Sequence, residues 1–175
     1  EAYIDFGGET ALPLIDKYDN LVVVRTFSKS RSMAGLRIGY AISNPELIKA
    51  LNDVKYSYNS YTMNRPSLVL GVESIHDDAY FREKVGQIIA TRERFVKEIA
   101  ELGFTCLPSS ANFVFATHES IPAKKIFAAA KENNIYVRYF DKPRIDNYLR
   151  ISIGTDAEMD AFVAFLKGYV ETKQN

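Results

Sequence analysis

The chain has 175 residues, 47% of them hydrophobic, and carries 22 lysine and arginine residues against 22 aspartate and glutamate residues. A net charge of zero argues against nucleic-acid binding, which usually depends on a strong positive field. No apolar run approaches the roughly 20 residues that a membrane-spanning helix needs. Cys106 is the only cysteine, so no disulfide can form within the chain. These features predict a cytoplasmic protein of one domain or little more, without nucleic-acid or membrane partners.

The first part of the chain has the pattern of an α/β domain. Residues 21–27 form an apolar run broken only by Arg25, which is typical of a parallel strand covered on both faces. Residues 2–6 predict the end of another strand, and residues 38–42 predict a third. Three strands without crossover helices make a thin sheet. We therefore expect the end of a larger domain with a mainly parallel sheet, and a chain that is a piece of a longer protein.

Helical patterns follow this part of the chain. Asn44 and Pro45 predict an N-cap and the first helical residue, and residues 56–66 predict a loop. Apolar residues recur at helical spacing over residues 78–102, and Gly103 predicts where this long helix ends. The predicted organisation is a C-terminal part of a large domain at 1–77, a connecting helix at 78–103 and a small α+β domain at 104–175.

The last part of the chain predicts a small sheet with helices on one side. Pro122 predicts the start of one helix, and Thr155 with Glu158 three residues later predicts a capping box at the start of the last one. The predicted strands are residues 104–107, 112–117, 135–140 and 149–153.

The residues with the clearest chemistry surround Lys29. A lysine amine can condense with an aldehyde, and a phosphate is bound best by a guanidinium together with hydroxyl donors. Thr26 and Ser28 stand just before Lys29, and Arg37 follows eight residues later. Pyridoxal 5′-phosphate, an aldehyde that carries a phosphate, matches this set.

A second candidate lies near the end of the chain. Arg150 stands inside the apolar strand predicted at 149–153. A charge there is unfavourable unless it is paired. We expect Arg150 to face the carboxylate of a ligand or an acidic partner.

Three motifs resemble those of the fold-type I aminotransferases, the aspartate aminotransferase superfamily of pyridoxal-phosphate-dependent enzymes. Residues 26–29 with residues 34–40 are similar to the family's lysine motif, and residues 1–3 to the end of its Asp-Glu-Ala-Tyr motif. Residues 149–154 resemble its carboxylate-binding arginine strand. Residues 110–114 and 135–138 are similar to the histidinol-phosphate aminotransferase subgroup. The likeness covers essentially the whole chain, but only the C-terminal half of the family's length.

The resemblance implies roles for the residues around the lysine. Lys29 would bind the cofactor aldehyde covalently and then move the proton during amino transfer. Tyr3 would hydrogen-bond the phenolic oxygen of the cofactor. Thr26, Ser28 and Arg37 would hold its phosphate.

The resemblance also implies substrates and partners. Arg150 would bind the carboxylate of glutamate or 2-oxoglutarate, Arg138 the phosphate of histidinol phosphate or imidazole acetol phosphate, and Asn112 a further ligand group. The reaction would belong to histidine biosynthesis, in a homodimer. The family's ring-pairing aspartate, glycine-rich phosphate-binding segment and partner-subunit tyrosine have no counterpart in this chain, so we expect it to be inactive alone.

Other interpretations stay open. The protein could be another fold-type I enzyme, such as an aromatic amino acid aminotransferase or an amino acid phosphate decarboxylase, or a non-catalytic dimerising module. Lys29 could be a solvated loop residue, Arg150 and Arg138 structural ion-pair residues, Asn112 a turn former and Tyr3 a core residue. His76 and His118 are isolated in the sequence, which predicts no metal site.

Overall fold

The structure, a computed structural model, describes residues 1–174. The chain divides into two compact units, Glu1–Val85 and Gly86–Asn175. The three-part division predicted from the sequence stays a prediction.

The first unit contains a two-stranded antiparallel sheet. Strand β1 (Val23–Thr26) pairs with β2 (Gly39–Ile42), with Thr26 opposite Gly39. The prediction of parallel strands is wrong for this pair. The connecting residues 27–38 hold only a short 3₁₀ turn, whereas a parallel connection usually contains an α-helix.

The segment before β1 also differs from the prediction. Residues 2–6 are not the end of a strand, because Ile4–Phe6 forms a 3₁₀ turn. Gly7 ends this turn with a φ of 100°, a left-handed conformation that glycine adopts readily. Phe6 within the turn is fully buried. The segment is therefore a turn that buries one aromatic side chain, and not a strand.

Two helices follow the sheet. Helix α1 (Pro45–Tyr58) begins as predicted, and the Asn44 side chain accepts a hydrogen bond from the Leu47 amide at 2.9 Å. Helix α2 (Arg65–His76) was not predicted. Its apolar residues lie on several sides instead of on one face, so they give no amphipathic signal. The exposed members are Leu68, Val69, Leu70, Val72 and Ile75.

Helix α3 (Asp78–Ala100) confirms the prediction of a long helix. Gly103 follows its end with a φ of 83°, and the Gly103 amide donates to the Ala100 carbonyl at 3.1 Å. In the part of the chain that the structure describes, no helix is both long and apolar enough to cross a membrane.

The second unit is built on a four-stranded antiparallel sheet in the order β3-β4-β6-β5. The strands are β3 (Phe104–Cys106), β4 (Phe113–His118), β5 (Arg138–Tyr139) and β6 (Leu149–Ser152). Strand β5 is shorter than predicted. Asn134 has a φ of 60°, and the Ile135 amide donates back to the Ala130 carbonyl at 2.9 Å. Ile135, the first residue of the predicted strand, is therefore bonded to the end of the preceding helix and does not pair with a neighbouring strand in the described part of the chain.

The core of this unit lies on one face of the sheet. Val114 and Ala116 of β4 and Leu149 and Ile151 of β6 are buried in one cluster with residues from α3, α4 (Ala123–Glu132) and α5 (Asp156–Gln174). The predicted capping box is confirmed, because Thr155 and Glu158 exchange hydrogen bonds at the start of α5. The opposite sheet face carries the alternate side chains, and these include Arg138 and Arg150.

Candidate active site

The hydroxyls of Thr26 and Ser28 lie together where β1 ends. The Thr26 hydroxyl oxygen accepts the Ser28 amide at 3.1 Å and lies 3.0 Å from the Ser28 hydroxyl oxygen. It also lies within hydrogen-bond distance of the Ile38 carbonyl, at 3.2 Å. Two donors of the kind that bind a phosphate are therefore held next to Lys29 by the backbone itself.

The Lys29 amine lies over the ring of Tyr3. Its Nζ atom is 5.3 Å from the ring centroid, and the residue is half-buried. Among residues 1–174, no carboxylate lies within ion-pair distance of this amine. A lysine placed in this way keeps its nitrogen accessible to a carbonyl group.

A neighbouring hydrogen bond connects the segments of these two residues. The buried Ser30 hydroxyl donates to Asp5 Oδ2 at 2.5 Å. Ser30 directly follows Lys29, and Asp5 lies two residues after Tyr3. The bond therefore keeps the lysine and the tyrosine segments side by side, although neither Ser30 nor Asp5 was selected from the sequence.

Arg37 has an unusual backbone conformation. Its φ is 56°, in the left-handed region, and its side chain is exposed. Nη1 donates to the Ala34 carbonyl at 2.9 Å, and no acidic side chain in the described part of the chain pairs with the guanidinium. Most of its donors are therefore available to an anion.

Arg31, by contrast, is occupied within the first unit. Its Nη1 atom donates to the Ser74 carbonyl, and its guanidinium lies 4.1 Å from the centroid of the Phe81 ring. It borders a cavity of about 350 Å³ whose lining includes neither Lys29 nor Arg37. Arg31 and Arg37 each give one donor to a backbone carbonyl, but Arg37 is exposed, whereas the Arg31 guanidinium also lies over two phenylalanine rings.

A charged network that the sequence did not reveal supports the same region. Arg25 Nη2 pairs with Glu1 Oε2 at 2.9 Å, and the Ala11 amide donates to Glu1 Oε1 at 2.7 Å. Burial alone raises the pKa of Glu1, but hydrogen bonds from Ala11, Arg25 and Thr10 outweigh it, so the net effect lowers the pKa. The network fastens the segment that carries Tyr3 to strand β1.

In the second unit, Arg138 and Arg150 lie directly opposite each other on β5 and β6. The Arg150 guanidinium is 5.3 Å from the Phe113 ring centroid, and that of Arg138 is 5.2 Å from the Phe140 ring centroid. Both residues are exposed, and neither has an ion-pair partner among the described residues. Two guanidinium groups that face each other in this way are of the kind that bind anions.

Asn112 precedes strand β4 in the same unit. Its backbone carbonyl accepts the Ile153 amide at 2.9 Å, which joins the loop to the end of β6. The Ser109 hydroxyl stabilises the loop, because it donates to the Phe113 carbonyl at 2.6 Å and accepts a hydrogen bond from the Ala111 amide at 3.2 Å. The Asn112 side chain makes no hydrogen bond within the described residues.

The two histidines differ in their surroundings. His118 is buried, with Nε2 at 2.9 Å from the Leu102 carbonyl and Nδ1 accepting the amides of Ser120 and Ile121 at 3.1 Å each. His76 is exposed at the end of α2. Within residues 1–174, no group of three or more His, Cys, Asp or Glu side chains has the arrangement of a metal site.

The structure thus brings several of the predicted residues into pairs. In the first unit, the Lys29 amine lies over the Tyr3 ring, and the Thr26 hydroxyl contacts the Ser28 hydroxyl. In the second unit, Arg138 lies opposite Arg150.

Comparison with known proteins gives the family. Residues 1–166 match the model of the aminotransferase class I and II family, and the chain belongs to this family.

Curated relatives carry a more specific name. The histidinol-phosphate aminotransferase of Clostridium botulinum (strain 657 / Type Ba4) is 51% identical over 167 residues, which are 95% of this chain and 47% of that protein. The enzyme of the same name from Lactococcus lactis subsp. lactis (strain IL1403) is 51% identical over 174 residues, which are 99% of this chain and 48% of that protein. The chain therefore spans about half the length of the curated relatives that it matches.

Solved structures of aminotransferases have the same fold as this chain. The histidinol-phosphate aminotransferase of Clostridium acetobutylicum has a TM-score of 0.88 at 27% identity, with 98% of this chain and 53% of that chain covered. The enzyme of that name from Sinorhizobium meliloti, solved in complex with pyridoxal-5′-phosphate, has a TM-score of 0.82 at 29% identity, with 98% and 48% covered. The α/β fold class of the fold-type I aminotransferases is confirmed.

Proposed function

We propose that the protein bearing this chain is a pyridoxal-phosphate-dependent aminotransferase of the histidinol-phosphate type. It would move an amino group between histidinol phosphate and 2-oxoglutarate, giving imidazole acetol phosphate and glutamate. The observation that carries the proposal is the half-buried Lys29 amine, which has no carboxylate partner among residues 1–174 and lies over Tyr3 beside two clustered hydroxyls. The names of the relatives at 51% identity support the substrate class.

The residues present fit the chemistry of pyridoxal phosphate. One end of that molecule is a carbonyl, which requires an accessible amine, and Lys29 supplies it. The other end is a phosphate, which requires hydroxyl and guanidinium donors, and Thr26, Ser28 and Arg37 supply these. Tyr3, beside the amine, supplies a phenol as a hydrogen-bonding group.

Each of these residues has a role in the proposed reaction. The bound cofactor supplies an electron-withdrawing ring that makes the hydrogen on the amine-bearing carbon of the substrate acidic. Lys29 removes that proton and returns it at a different carbon, as a general base and then a general acid. Tyr3 would hydrogen-bond the phenolic oxygen of the cofactor, and the hydroxyls of Thr26 and Ser28 with Arg37 would hold its phosphate.

The paired arginines support the binding of anionic substrates. We infer that Arg150 binds the carboxylate of glutamate or 2-oxoglutarate, and that Arg138 binds the phosphate of histidinol phosphate. Asn112, whose side chain is unengaged among the described residues, supplies a further donor. An anion between two facing arginines removes the repulsion that they otherwise exert on each other.

Borohydride reduction of the full-length protein with pyridoxal phosphate tests the proposal. We expect a pyridoxyl group attached to Lys29, located by peptide mass mapping, and amino transfer from histidinol phosphate to 2-oxoglutarate. Absence of the adduct would favour a non-catalytic module. Turnover of an aromatic amino acid without turnover of histidinol phosphate would instead change the substrate.

Assembly and location are proposals of the same kind. We infer a homodimer, which light scattering on the full-length protein measures, and a cytoplasmic location, which fractionation of cells measures. A monomeric mass would contradict the first, and recovery outside the cytoplasm the second.

A further inference from the structure

Arg37 requires an explanation for its backbone. A φ of 56° is uncommon for a residue with a long side chain, because Cβ crowds the neighbouring carbonyl oxygen. Such a conformation persists only where the surrounding structure holds it. The hydrogen bonds of the Leu36 and Ile38 carbonyl groups, on either side of this residue, show what does so.

The carbonyl of the next residue, Ile38, is held by the end of strand β1 and the residue after it. The Ile38 carbonyl oxygen accepts the Phe27 amide at 3.0 Å and lies 3.2 Å from the Thr26 hydroxyl. This side of the turn is fastened to the same segment that carries Lys29. These contacts orient the peptide group after Ile38, but they do not hold the peptide group before Arg37.

The carbonyl before Arg37 is held by helix α2, from 31 residues away. The Leu36 carbonyl accepts the Ser67 hydroxyl at 2.8 Å, and Ser67 is fully buried. The Ser67 amide in turn donates to the N-cap side chain of Asn64 at 2.9 Å, so the first turn of the helix fixes the position of this hydroxyl.

Helix α2 also approaches this turn closely. A Cβ atom on Gly71 would lie 2.9 Å from Ile38 Cδ1, so the absence of a side chain at this position permits the contact. Ser67 and Gly71 are the two buried residues of the helix. The side of α2 that is buried is therefore the side that faces the turn of Arg37.

We infer that Ser67 is a positioning residue that holds Arg37 in its left-handed conformation, with the guanidinium presented to the cofactor phosphate. Relaxation of Arg37 to a negative φ would turn the peptide group between Leu36 and Arg37. That rotation would break the hydrogen bond and leave a buried hydroxyl without its partner. The inference rests on the proposed role of Arg37 at the phosphate.

Binding of pyridoxal phosphate and of pyridoxal, which lacks the phosphate, separates positioning from mere packing. In the full-length protein, Ser67→Ala should weaken the affinity for pyridoxal phosphate roughly twofold to tenfold, the range expected for one lost hydrogen bond. Its affinity for pyridoxal should stay that of the unsubstituted protein. Ser74→Ala is the matched control, because the Ser74 hydroxyl donates to Gly71 within the same helix at 2.9 Å and should change neither affinity.

A double-variant cycle completes the test. Because Ser67 acts through Arg37, Ser67→Ala should have no further effect on pyridoxal phosphate binding in an Arg37→Ala background. Equal losses for both ligands, or a full additional loss in that background, would show a packing role and overturn the inference.

Two further outcomes distinguish this inference from the proposed function. If the unsubstituted protein binds no pyridoxal phosphate, the proposed function and this inference both fail. If Arg37→Ala weakens phosphate-dependent binding but Ser67→Ala does not, only this inference fails. Should Ser67→Ala not fold, Ser67→Cys is used instead, because its side chain is only slightly larger and its thiol is a much weaker donor. The ratio of the affinities for pyridoxal phosphate and pyridoxal then decides in the same way.

Discussion

Arg138 and Arg150 occupy directly opposite positions on two antiparallel strands, with their charges unpaired among the described residues. Like charges at such positions destabilise a sheet. Each guanidinium lies beside a phenylalanine ring, which favours a cation but does not neutralise it. Sheet stability does not account for this arrangement, which agrees with the proposed binding of anionic substrates.

Arg138→Gln should therefore stabilise the ligand-free protein while it weakens substrate binding. We expect a gain of about 0.2–1 kcal/mol in the free energy of unfolding, measured with urea at low salt and smaller at high salt. Lys142→Gln, an exposed loop lysine, is the control and should change little. A loss of stability in Arg138→Gln would mean that Arg138 has a structural partner.

Lys29→Ala should abolish the borohydride-trapped adduct while leaving some non-covalent binding of pyridoxal phosphate. The rate of amino transfer should fall by at least about 10²–10⁴-fold, the usual effect of losing a positioned general base. Lys17→Ala, at an exposed position, should retain the adduct and the rate. Near-normal turnover by Lys29→Ala would refute the catalytic role.

His118→Leu should destabilise the protein by about 2–4 kcal/mol, because the amides of Ser120 and Ile121 lose their shared acceptor. Urea unfolding measures this difference. His76→Leu, at an exposed position, should stay within about 0.5 kcal/mol of the unsubstituted protein. Similar effects of the two substitutions would contradict the structural role of His118.

Cys106 should react slowly with iodoacetamide at neutral pH. Burial raises the pKa of its thiol from an ordinary 9.0 to about 11, and only the thiolate reacts. A pKa of about 11 instead of 9.0 lowers the thiolate fraction at pH 8 roughly a hundredfold. The alkylation rate should rise with pH up to about 11, and urea should remove the delay. A rate equal to that of a small free thiol at pH 8 would show that the side chain is solvated.

Glu1→Gln should lower stability at neutral pH and have less effect in acid. The pKa of Glu1 is lowered in the folded state from an ordinary 4.5, so its carboxylate stabilises the fold above that value. This contribution is lost as the pH falls through the folded-state pKa. Urea unfolding from pH 7 to pH 3 measures the narrowing gap, with the exposed Glu9→Gln as the control. A gap independent of pH would show that the charge of Glu1 does not matter.

The sequence predicted best those elements whose pattern is local. Strands β4 and β6 alternate buried and exposed residues, and the capping box of Thr155 and Glu158 spans only three positions. Helix α2 was missed because its apolar residues do not lie on one face. A strand was predicted wrongly at residues 2–6 because a 3₁₀ turn with one buried aromatic residue and a short strand can have similar apolar composition.

The candidate site divides in a similar way. Thr26, Ser28 and Lys29 form a contiguous motif, so the sequence could select them together. Ser67 could not be found, because its partner Leu36 lies 31 residues away and a serine near a helix start usually signals a cap. The facing of Arg138 and Arg150 depends on strand register, which neither segment specifies alone.

Helix α2 has a practical consequence for handling this chain by itself. Leu68, Val69, Leu70, Val72 and Ile75 are each about half exposed to solvent. Large apolar side chains exposed on several sides of one helix promote aggregation. Solutions of the 175-residue polypeptide should become turbid when the protein is concentrated or when sulfate or phosphate salt is added, and a mild detergent should prevent this.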